Sequence, residues 1–357
     1  MPMTQQELTI LNLGQSLDDL ANLDPRGYGV CKILYAASRE YTGGPTSMNA
    51  AQKLADTVKE GDIVYVMTGF VLRPYKKAEM DGIVSSMLLC RALVKAFGAK
   101  PVIICPEDNH KAVENLAACV GLHLFEDMDT LMEIPVSMGV IYYTKDPECA
   151  EQQADEIIAK AKPSAVVSIE CPGANEIGCY HNAVGLSVTE LEAKQDILFE
   201  KLQAMGVLNI AIGDLGNEIG MGTISDTLNK YIPYARKGAC SCGCGGGIAV
   251  KTKADNIITA TVSDWGCYAM IAALAFIKED IDIMHDAELE KEAVICASNS
   301  GMIDMYGWLI PAIDGFGLEI NMPIVSLMRE MVAKALNLRE TCKTWFEKVE
   351  ELRWFDK

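Results

Sequence analysis

The sequence predicts an α/β fold in which a mostly parallel sheet is flanked by helices in Rossmann-like layers. Two observations predict it. Short apolar runs alternate with helical segments between residues 61 and 285, and the chain of 357 residues is 50% hydrophobic. Strict alternation is typical of βαβ units with right-handed crossovers, and a chain of this composition can bury a large core. We therefore expect a single α/β domain over residues 1–357.

Three parts are expected within this domain. Residues 1–60 are predicted to form a helical lead-in, because leucines recur at helical intervals between Leu8 and Leu20. Residues 61–285 are the α/β core. Strands are predicted at 63–67, 101–105, 139–143, 165–169, 208–212 and 256–262, and helices at 82–97, 109–120, 147–160, 190–205 and 264–278. Residues 286–357 are predicted to be mainly helical. Aromatic residues of this tail are expected to close the core or to join copies into a homo-oligomer: Trp345, Phe346, Trp354 and Phe355.

The charge balance limits the classes of partner. The chain has 31 basic and 49 acidic residues, a formal net charge of -18, which repels phosphate backbones and anionic lipid surfaces. The N-terminus lacks the basic and apolar regions of a secretory signal, and the apolar stretch at 268–277 is too short to cross a bilayer. We expect a cytoplasmic protein that binds a small anionic metabolite, and neither nucleic acid nor membrane.

Thirteen cysteines in a chain without a secretory signal are typical of free thiols in a reducing compartment. Cys240, Cys242 and Cys244 lie in a glycine-rich segment, and alternate side chains of an extended segment share one face. Three thiolates on one face can hold a soft metal ion, and a flexible loop of reduced thiols is the alternative. The conceivable fourth ligands are other cysteines: Cys171, Cys179 and Cys267.

The most informative motif is a glycine-rich run that follows the apolar stretch at 208–212. It reads Gly-Asp-Leu-Gly-Asn-Glu-Ile-Gly-Met-Gly over residues 213–222 and contains Asp214 and Glu218. Ligands of open α/β sheets bind at the carboxyl edge of the strands, and glycine lets backbone N–H groups approach them closely. The run therefore predicts a site, and a solvated connection is the alternative. Its spacing fits neither a dinucleotide fingerprint nor a P-loop.

Polar residues at three other strand ends are expected to meet at the same edge. They are Thr68 and Gly69 with Asp81 and Gly82 opening a helix, Glu170 with Asn182 on the following loop, and Ser263 with Trp265. Glu170, Asp214 and Glu218 are candidates for general acid and base or for ligands of a hard divalent cation. Carboxylates in one cleft raise one another's pKa values. The alternatives are separately solvated acids and, for Asp81, a helix N-cap.

In this order, the motifs resemble the C-terminal domain family of D-glutamate cyclases. The similar segments span about Ile33 to Ile277 and include Val-Met-Thr-Gly-Phe at 66–70, Ser-Ile-Glu-Cys-Pro-Gly at 168–173 and the run at 213–222. The resemblance implies an α/β domain and, for the full-length mammalian type, dehydration of D-glutamate to 5-oxo-D-proline in mitochondria. We expect no counterpart in this chain of that type's separate N-terminal domain.

On this resemblance, cyclisation needs a base for the α-amine and an acid for the departing oxygen. Glu170 and Asp214 are assigned as the acid/base pair, with Glu218 as their partner. Asp214 and Glu218 are also the expected ligands if the site uses Mn²⁺ or Mg²⁺, and no other cofactor is implied. The substrate-binding residues are expected at the same edge: Thr68, Gly69, Asp81, Gly82, Asn182, Asn217, Ser263 and Trp265.

Two departures from the family pattern bear on the substrate. Asp264 stands where the family usually has Asn, and Cys171 stands where it commonly has Arg. Loss of that arginine would remove a bidentate clamp for a carboxylate, which leaves open a substrate other than glutamate. A lyase acting on D-glutamate or a related small acid is the leading hypothesis. A non-catalytic metabolite-binding module and a metal-thiolate protein are the alternatives.

Overall fold

A computed structural model of the chain describes residues 4–338 and 351–353. It contains a parallel sheet of seven strands with helices on both faces, so the predicted α/β class is confirmed. The four tail aromatics of the predicted oligomer interface lie outside the described residues. The strands are β1 (Ile63–Thr68), β2 (Val71–Leu72), β3 (Lys77–Ala78), β4 (Lys100–Cys105), β5 (His123–Phe125), β6 (Ser137–Tyr142), β7 (Ala165–Ile169), β8 (Leu208–Gly213), β9 (Asn256–Thr259), β10 (Ala312–Ile313) and β11 (Phe316–Gly317).

The helices follow the predicted lead-in, crossover and C-terminal pattern. They are α1 (Gln5–Ala21), α2 (Val30–Thr42), α3 (Thr46–Thr57), α4 (Ile83–Phe97), α5 (His110–Cys119), α6 (Met128–Glu133), α7 (Pro147–Lys160), α8 (Gln195–Ala204), α9 (Ser225–Tyr231), α10 (Ser263–Ile277), α11 (Ala287–Asn299) and α12 (Leu318–Leu338). No helix among the described residues combines the length and the hydropathy that a membrane crossing requires.

The order of the strands in the sheet determines where a binding crevice can form. The central sheet runs β5-β6-β4-β1-β7-β8-β9, and every pairing in it is parallel. The chain builds outward from β1 on one side and then returns to pair β7 with the other side of β1. Neighbouring crossovers therefore leave β1 and β7 in opposite directions and open a crevice at their carboxyl ends. Thr68 and Ile169 are the last residues of these two strands.

Alternation along each strand divides the buried residues into two layers. On β1, Val64 and Val66 face the core that contains α3, α4 and α10, whereas Tyr65 and Met67 face the core that contains α7 and α8. A strand with both faces covered is apolar throughout, which is why these strands were readable as short apolar runs. Helix α10 lies inside the first layer, with all residues from 263 to 276 buried.

The structure differs from the prediction where polar residues make a helix or strand hard to recognise or change where it begins. Strand β5, of three residues and only partly buried, has too little apolar character to be recognised in the sequence. Helix α2 lies inside the predicted helical lead-in, although its own bounds were not predicted. Helix α8 begins at residue 195 rather than 190, because the preceding segment is tied to neighbouring loops. There the Glu192 carboxylate accepts the Val71 N–H, at 3.1 Å from one of its oxygens.

Gly220, in the glycine-rich run, illustrates how closely that run packs on β8. Its φ is +88°, and a Cβ built there would lie 2.2 Å from the Cβ of Ala211. Both the backbone conformation and the contact exclude a side chain. This glycine of the motif therefore shapes the turn that carries Asp214 and Glu218.

We predict that Gly220→Ala destabilises the fold more than Gly121→Ala. Gly121 also has a positive φ, of +81°, but a Cβ there would meet nothing within 4 Å. The control should lose roughly 1–2 kcal/mol from the left-handed conformation alone. Gly220→Ala should lose about 1–3 kcal/mol more, since its methyl group must displace the strand. Urea denaturation measures both, and equal losses would contradict the packing argument.

Candidate functional site

A cavity of about 260 Å³ lies at the carboxyl ends of β1, β7 and β8, at the crevice that the strand order creates. Apolar walls come from Phe70, Leu72, Tyr75 and Met305. Acidic side chains line the rest of the cavity: Glu79, Asp81, Glu170, Asp214, Glu218 and Asp314. The combination of apolar walls with converging polar groups is typical of a site for a small molecule.

Three of these carboxylates converge on one point, and we call them the carboxylate triad. Asp81, Glu170 and Asp214 each offer an oxygen, and these oxygens lie within 4.8 Å of one another. Asp81 precedes α4, Glu170 follows β7 and Asp214 follows β8, so three segments distant in sequence supply the group. Their exposed fractions are only 4%, 6% and 7%. Sequence analysis predicted Glu170 and Asp214 as catalytic and Asp81 as substrate-binding, and the fold brings all three together.

Glu170 is held in an unusual backbone conformation at the end of β7. Its φ is +44°, in the left-handed region that residues with a side chain rarely adopt. The hydroxyl of Ser263 donates to its Oε2 at 2.6 Å, and its own N–H donates to the Ile212 carbonyl at 3.1 Å. Strained residues of this kind cluster at functional sites, where the surrounding contacts hold them in place. Ser263 thus orients Glu170 and does not itself line the cavity.

Cys171 faces away from the cavity. It is fully buried in the layer that contains α8, with Phe199 among its cluster members. A side chain at this position points into the core, so the geometry gives no support to the idea that an arginine here would reach the cavity. The presence of cysteine at 171 therefore does not argue against a glutamate-like ligand.

Two aspartates cap each other's helices beside the triad, an arrangement that we call the reciprocal cap. Asp81 accepts the N–H groups of Ser263 at 3.2 Å and Asp264 at 3.0 Å, at the start of α10. Asp264 accepts the N–H groups of Gly82 at 3.0 Å and Ser85 at 3.1 Å, at the start of α4. Carboxylates at helix N-termini satisfy free N–H groups and oppose the helix dipole. A helix N-cap was the predicted alternative role for Asp81. In the structure Asp81 does cap a helix, but that helix is α10 rather than α4.

Gly82 permits the close contact between α4 and β7. Its φ is +87°, and a Cβ there would lie 2.7 Å from both the Glu170 Cβ and the Thr68 Oγ1. Gly82 and Thr68 therefore lie behind the triad rather than on the cavity surface, and Gly69 lies in the turn after β1. The Thr68 hydroxyl is buried without a hydrogen-bond partner among the described residues.

Burial and mutual repulsion alter the acidity of the cavity. Burial, then the neighbouring Asp214 and Glu218, raises the pKa of Glu170 well above its usual range. Burial, then Glu218, does the same to the pKa of Asp214. Burial and Asp314 raise the pKa of Asp81 to about 7, although backbone N–H donors oppose the rise. Carboxyl groups with such pKa values can hold or release protons near neutral pH.

Glu218 organises the glycine-rich run. Its carboxylate accepts the N–H groups of Gly216 at 2.7 Å and Leu215 at 3.2 Å. It lines the cavity, but it is not one of the triad whose oxygens converge. Among the described residues at this cavity, the carboxylates whose oxygens all lie within 4.8 Å of one another are Asp81, Glu170 and Asp214. The pair of Asp214 and Glu218 as metal ligands stays a prediction.

The remaining predicted residues divide between the cavity and the core. Asn182 and Asn217 line the cavity. The Asn217 amide donates to the His181 carbonyl at 3.1 Å, and its Oδ1 is buried without a partner in the described part of the chain. Trp265 lies elsewhere. It is fully buried and donates from Nε1 to Asn321 at 2.7 Å, so it packs in the core instead of forming a wall.

Sequence analysis missed the basic group that pairs with Asp314, one of the acids that line the cavity. Arg26, from the connection between α1 and α2, pairs with Asp314 at 2.8 Å and donates to the Thr261 carbonyl at 2.9 Å. Burial raises the pKa of Asp314 to about 6, and Arg26 opposes the rise. Glu79 was also missed. Glu79 lies two residues before Asp81, so a local signal was available for it. No local motif marks Arg26 or Asp314, which lie far apart in sequence and are brought together only by the fold.

Comparison with known proteins adds a family assignment to this geometry. The sequence model of the family described as D-glutamate cyclase-like, C-terminal matches residues 17–329. A human protein named D-glutamate cyclase, mitochondrial, is 33% identical over 110 residues. The match covers 30% of this chain and 16% of the human protein, so the chain matches only a small part of that relative's length.

We predict that Asp214→Asn stabilises the fold, and more so at pH 8 than at pH 5. A buried aspartate whose pKa is raised opposes folding as pH rises above its ordinary value of about 4, because the folded chain must then ionise it at a cost. The amide avoids that cost and should gain about 0.5–2 kcal/mol at pH 8. Urea denaturation in the presence of a chelator measures it. An equal loss of stability at both pH values would show that the carboxylate makes a needed contact instead.

Proposed function

The chain belongs to the D-glutamate cyclase-like, C-terminal family, and we propose that its carboxylate pocket is the active site of a D-glutamate cyclase-like lyase. The proposed reaction is dehydration of D-glutamate, or a closely related small acid, to 5-oxo-D-proline. The observation that carries the proposal is the carboxylate triad, whose oxygens lie within 4.8 Å of one another in the crevice between β1 and β7. A cavity of about 260 Å³ suits a metabolite of glutamate's size rather than a large cofactor.

The charges of the pocket constrain how such a substrate would bind. An α-ammonium group is attracted to the acidic wall, whereas the two carboxylates of glutamate are repelled by it. Arg26 supplies positive charge at one side, within electrostatic range of Asp81 and Asp214. A divalent cation held by the triad would supply the rest, and three clustered carboxylates are the oxygen donors that Mg²⁺ and Mn²⁺ prefer. Such a cation would neutralise a substrate carboxylate and polarise it toward attack.

The reaction moves two protons from nitrogen to oxygen. The bond between the α-nitrogen and the γ-carbon forms, one carbon–oxygen bond of the γ-carboxyl group breaks, and water leaves. We assign Glu170 and Asp214 as the groups that take protons from the amine and deliver them to the departing oxygen. If the triad held a cation, Glu79, which lines the cavity outside the triad, would be a further carboxyl group able to exchange protons there. Burial and then Asp81 raise the pKa of Glu79.

The backbone and amide groups would position the substrate. Asn217 has a buried Oδ1 free of partners among the described residues, and Asn182 stands on the same wall. An amide oxygen in such a place suits an ammonium donor. Holding the amine close to the γ-carbon converts the ring closure into a positioned intramolecular step, which lowers its entropic cost.

A non-catalytic binding module is the second candidate. The observation that favours it is the limited match to the human relative, which covers 16% of that protein. In this case the pocket would bind a small amino acid, while the chemistry would belong to another part of the relative. Saturable binding without turnover is its signature.

We predict that the wild-type chain interconverts D-glutamate and 5-oxo-D-proline. The L enantiomers should react at least tenfold more slowly. Glu170→Gln, which keeps the size of the side chain and removes its charge, should lower the rate by about 10²–10⁴-fold. Glu176→Gln, at an exposed position, is the matched control and should leave the rate unchanged. Chiral chromatography of quenched reactions measures both directions. A wild-type chain that binds D-glutamate without converting it would favour the binding module.

We also predict that Mg²⁺ or Mn²⁺ stabilises the wild-type chain through the triad. A cation at a hundred times its dissociation constant should add about 2.7 kcal/mol to the free energy of unfolding. Asp214→Asn should lose most of this gain, whereas Glu176→Gln should retain it. Thermal denaturation across a cation titration measures the effect. A gain of equal size in Asp214→Asn would place the cation elsewhere.

A further inference from the structure

A second group of potential metal ligands lies beside the carboxylate pocket. It consists of Cys240, Cys242 and Cys244, from the segment between α9 and β9, with His181 from the loop after β7. We call these residues the thiolate cluster. Their ligand atoms, three Sγ and one imidazole nitrogen, all lie within 4.8 Å of one another. The segment that carries the cysteines is therefore folded around a common centre.

Four distances within the cluster are close to the edges of a small tetrahedron. The Cys240 and Cys244 Sγ atoms are 3.4 Å apart, and the Cys240 and Cys242 Sγ atoms are 3.6 Å apart. The His181 Nε2 lies 3.1 Å from the Cys242 Sγ and 3.6 Å from the Cys244 Sγ. Tetrahedral zinc with Zn–S bonds of about 2.3 Å separates its sulfur ligands by roughly 3.8 Å. The sulfurs are too far apart for disulfides, which bring two sulfurs to about 2.05 Å.

We propose that the thiolate cluster binds one zinc ion through three cysteine thiolates and the Nε2 of His181. Sulfur and imidazole ligands in a tetrahedral arrangement favour zinc over the hard cations suited to the carboxylate triad. The Gly246 N–H at 3.3 Å and the Asn175 amide at 3.6 Å donate to the Cys244 Sγ. Donors to a metal-bound thiolate offset its negative charge and fix its orientation. Four protein ligands fill a tetrahedral shell, so the proposed role is structural.

The fourth ligand differs from those expected in sequence analysis. Cys171 and Cys267 are fully buried in other parts of the core, and the Cys267 Sγ lies near the Ser85 carbonyl. Cys179 is a neighbour of Cys244 but is not a member of the cluster. His181 was not considered as a ligand in the sequence analysis, where only other cysteines were. The bridge that pairs His181 with Ser187 lies within the loop after β7 and fixes the shape of that loop.

Zinc at this position would fix one wall of the carboxylate pocket. Asn182, Ala183 and Val184, which directly follow His181, line that pocket. The Asn217 amide donates to the His181 carbonyl, and the Ser241 N–H donates to the Gly185 carbonyl at 3.0 Å. The ion would thereby join the loop after β7 to the cysteine segment without touching a substrate. This inference requires no particular reaction in the pocket.

The test is the metal content of the full chain, purified without a metal-affinity step from cells grown with added zinc. Inductively coupled plasma mass spectrometry should find one zinc per wild-type chain. The triple variant Cys240→Ser, Cys242→Ser, Cys244→Ser should hold at least tenfold less. Cys149→Ser, which changes an exposed thiol on α7, is the matched control and should keep its zinc. Glu170→Gln should also keep its zinc. The zinc measurement therefore stands whether or not the proposed reaction occurs.

Two further measurements cover the case in which the triple variant does not fold. Zinc X-ray absorption of the wild-type chain should report three sulfur ligands and one nitrogen ligand. Cys242→Ser changes an exposed cysteine and should fold, yet bind zinc at least tenfold more weakly in competition with a chelator. The proposal is overturned if the wild-type chain lacks zinc even after anaerobic reconstitution with zinc chloride. It is equally overturned by iron in place of zinc, by four sulfur ligands, or by undiminished affinity in Cys242→Ser.

Discussion

The reciprocal cap between Asp81 and Asp264 is the interaction on which the rest of the site depends. Neither α4 nor α10 has a side-chain N-cap from its own capping residue, and each receives a carboxylate from the other. The four N–H groups bound in this way satisfy donors that would otherwise be buried without partners at two helix starts. The same contact brings α4 against β7, where Gly82 leaves room for Glu170, and brings Ser263 within reach of that glutamate.

A cost in electrostatic free energy accompanies this arrangement. Asp81 and Asp264 are both buried, and burial followed by the charge of Asp81 raises the pKa of Asp264 well above its usual range. The cavity contains further acids. Among the described residues only one of them, Asp314, has an ion-pair partner, which is Arg26. Uncompensated buried charge is tolerated mainly where it serves a function. The positive φ of Glu170 is a second unfavourable contribution at the same place. The packing of a sheet whose strands are buried on both faces offsets both contributions.

Much of the fold could be predicted from sequence because its signals are local. The strand at 165–169 and the helix at 147–160 were predicted with the bounds that the structure shows, since each has a clear apolar pattern and clear ends. Glu170 and Asp214 were predicted for the same reason, as acids at the ends of apolar strands. Arg26 and Asp314 could not be, because their proximity is a property of the tertiary fold. Trp265 was placed at the site by its neighbours in sequence, although its position on α10 turns its side chain into the core.

The sequence separation of the two partners in the reciprocal cap also bears on how the chain folds. Asp81 and Asp264 are 183 positions apart, and β4 through β9 lie between them. Contacts of such long sequence separation form late, after the loop-closure entropy of the intervening chain has been overcome. A nascent or truncated chain that ends before α10 would therefore lack the groups that cap α4 and orient Glu170. The acidic centre therefore has its full set of supporting contacts only in a chain that extends through α10.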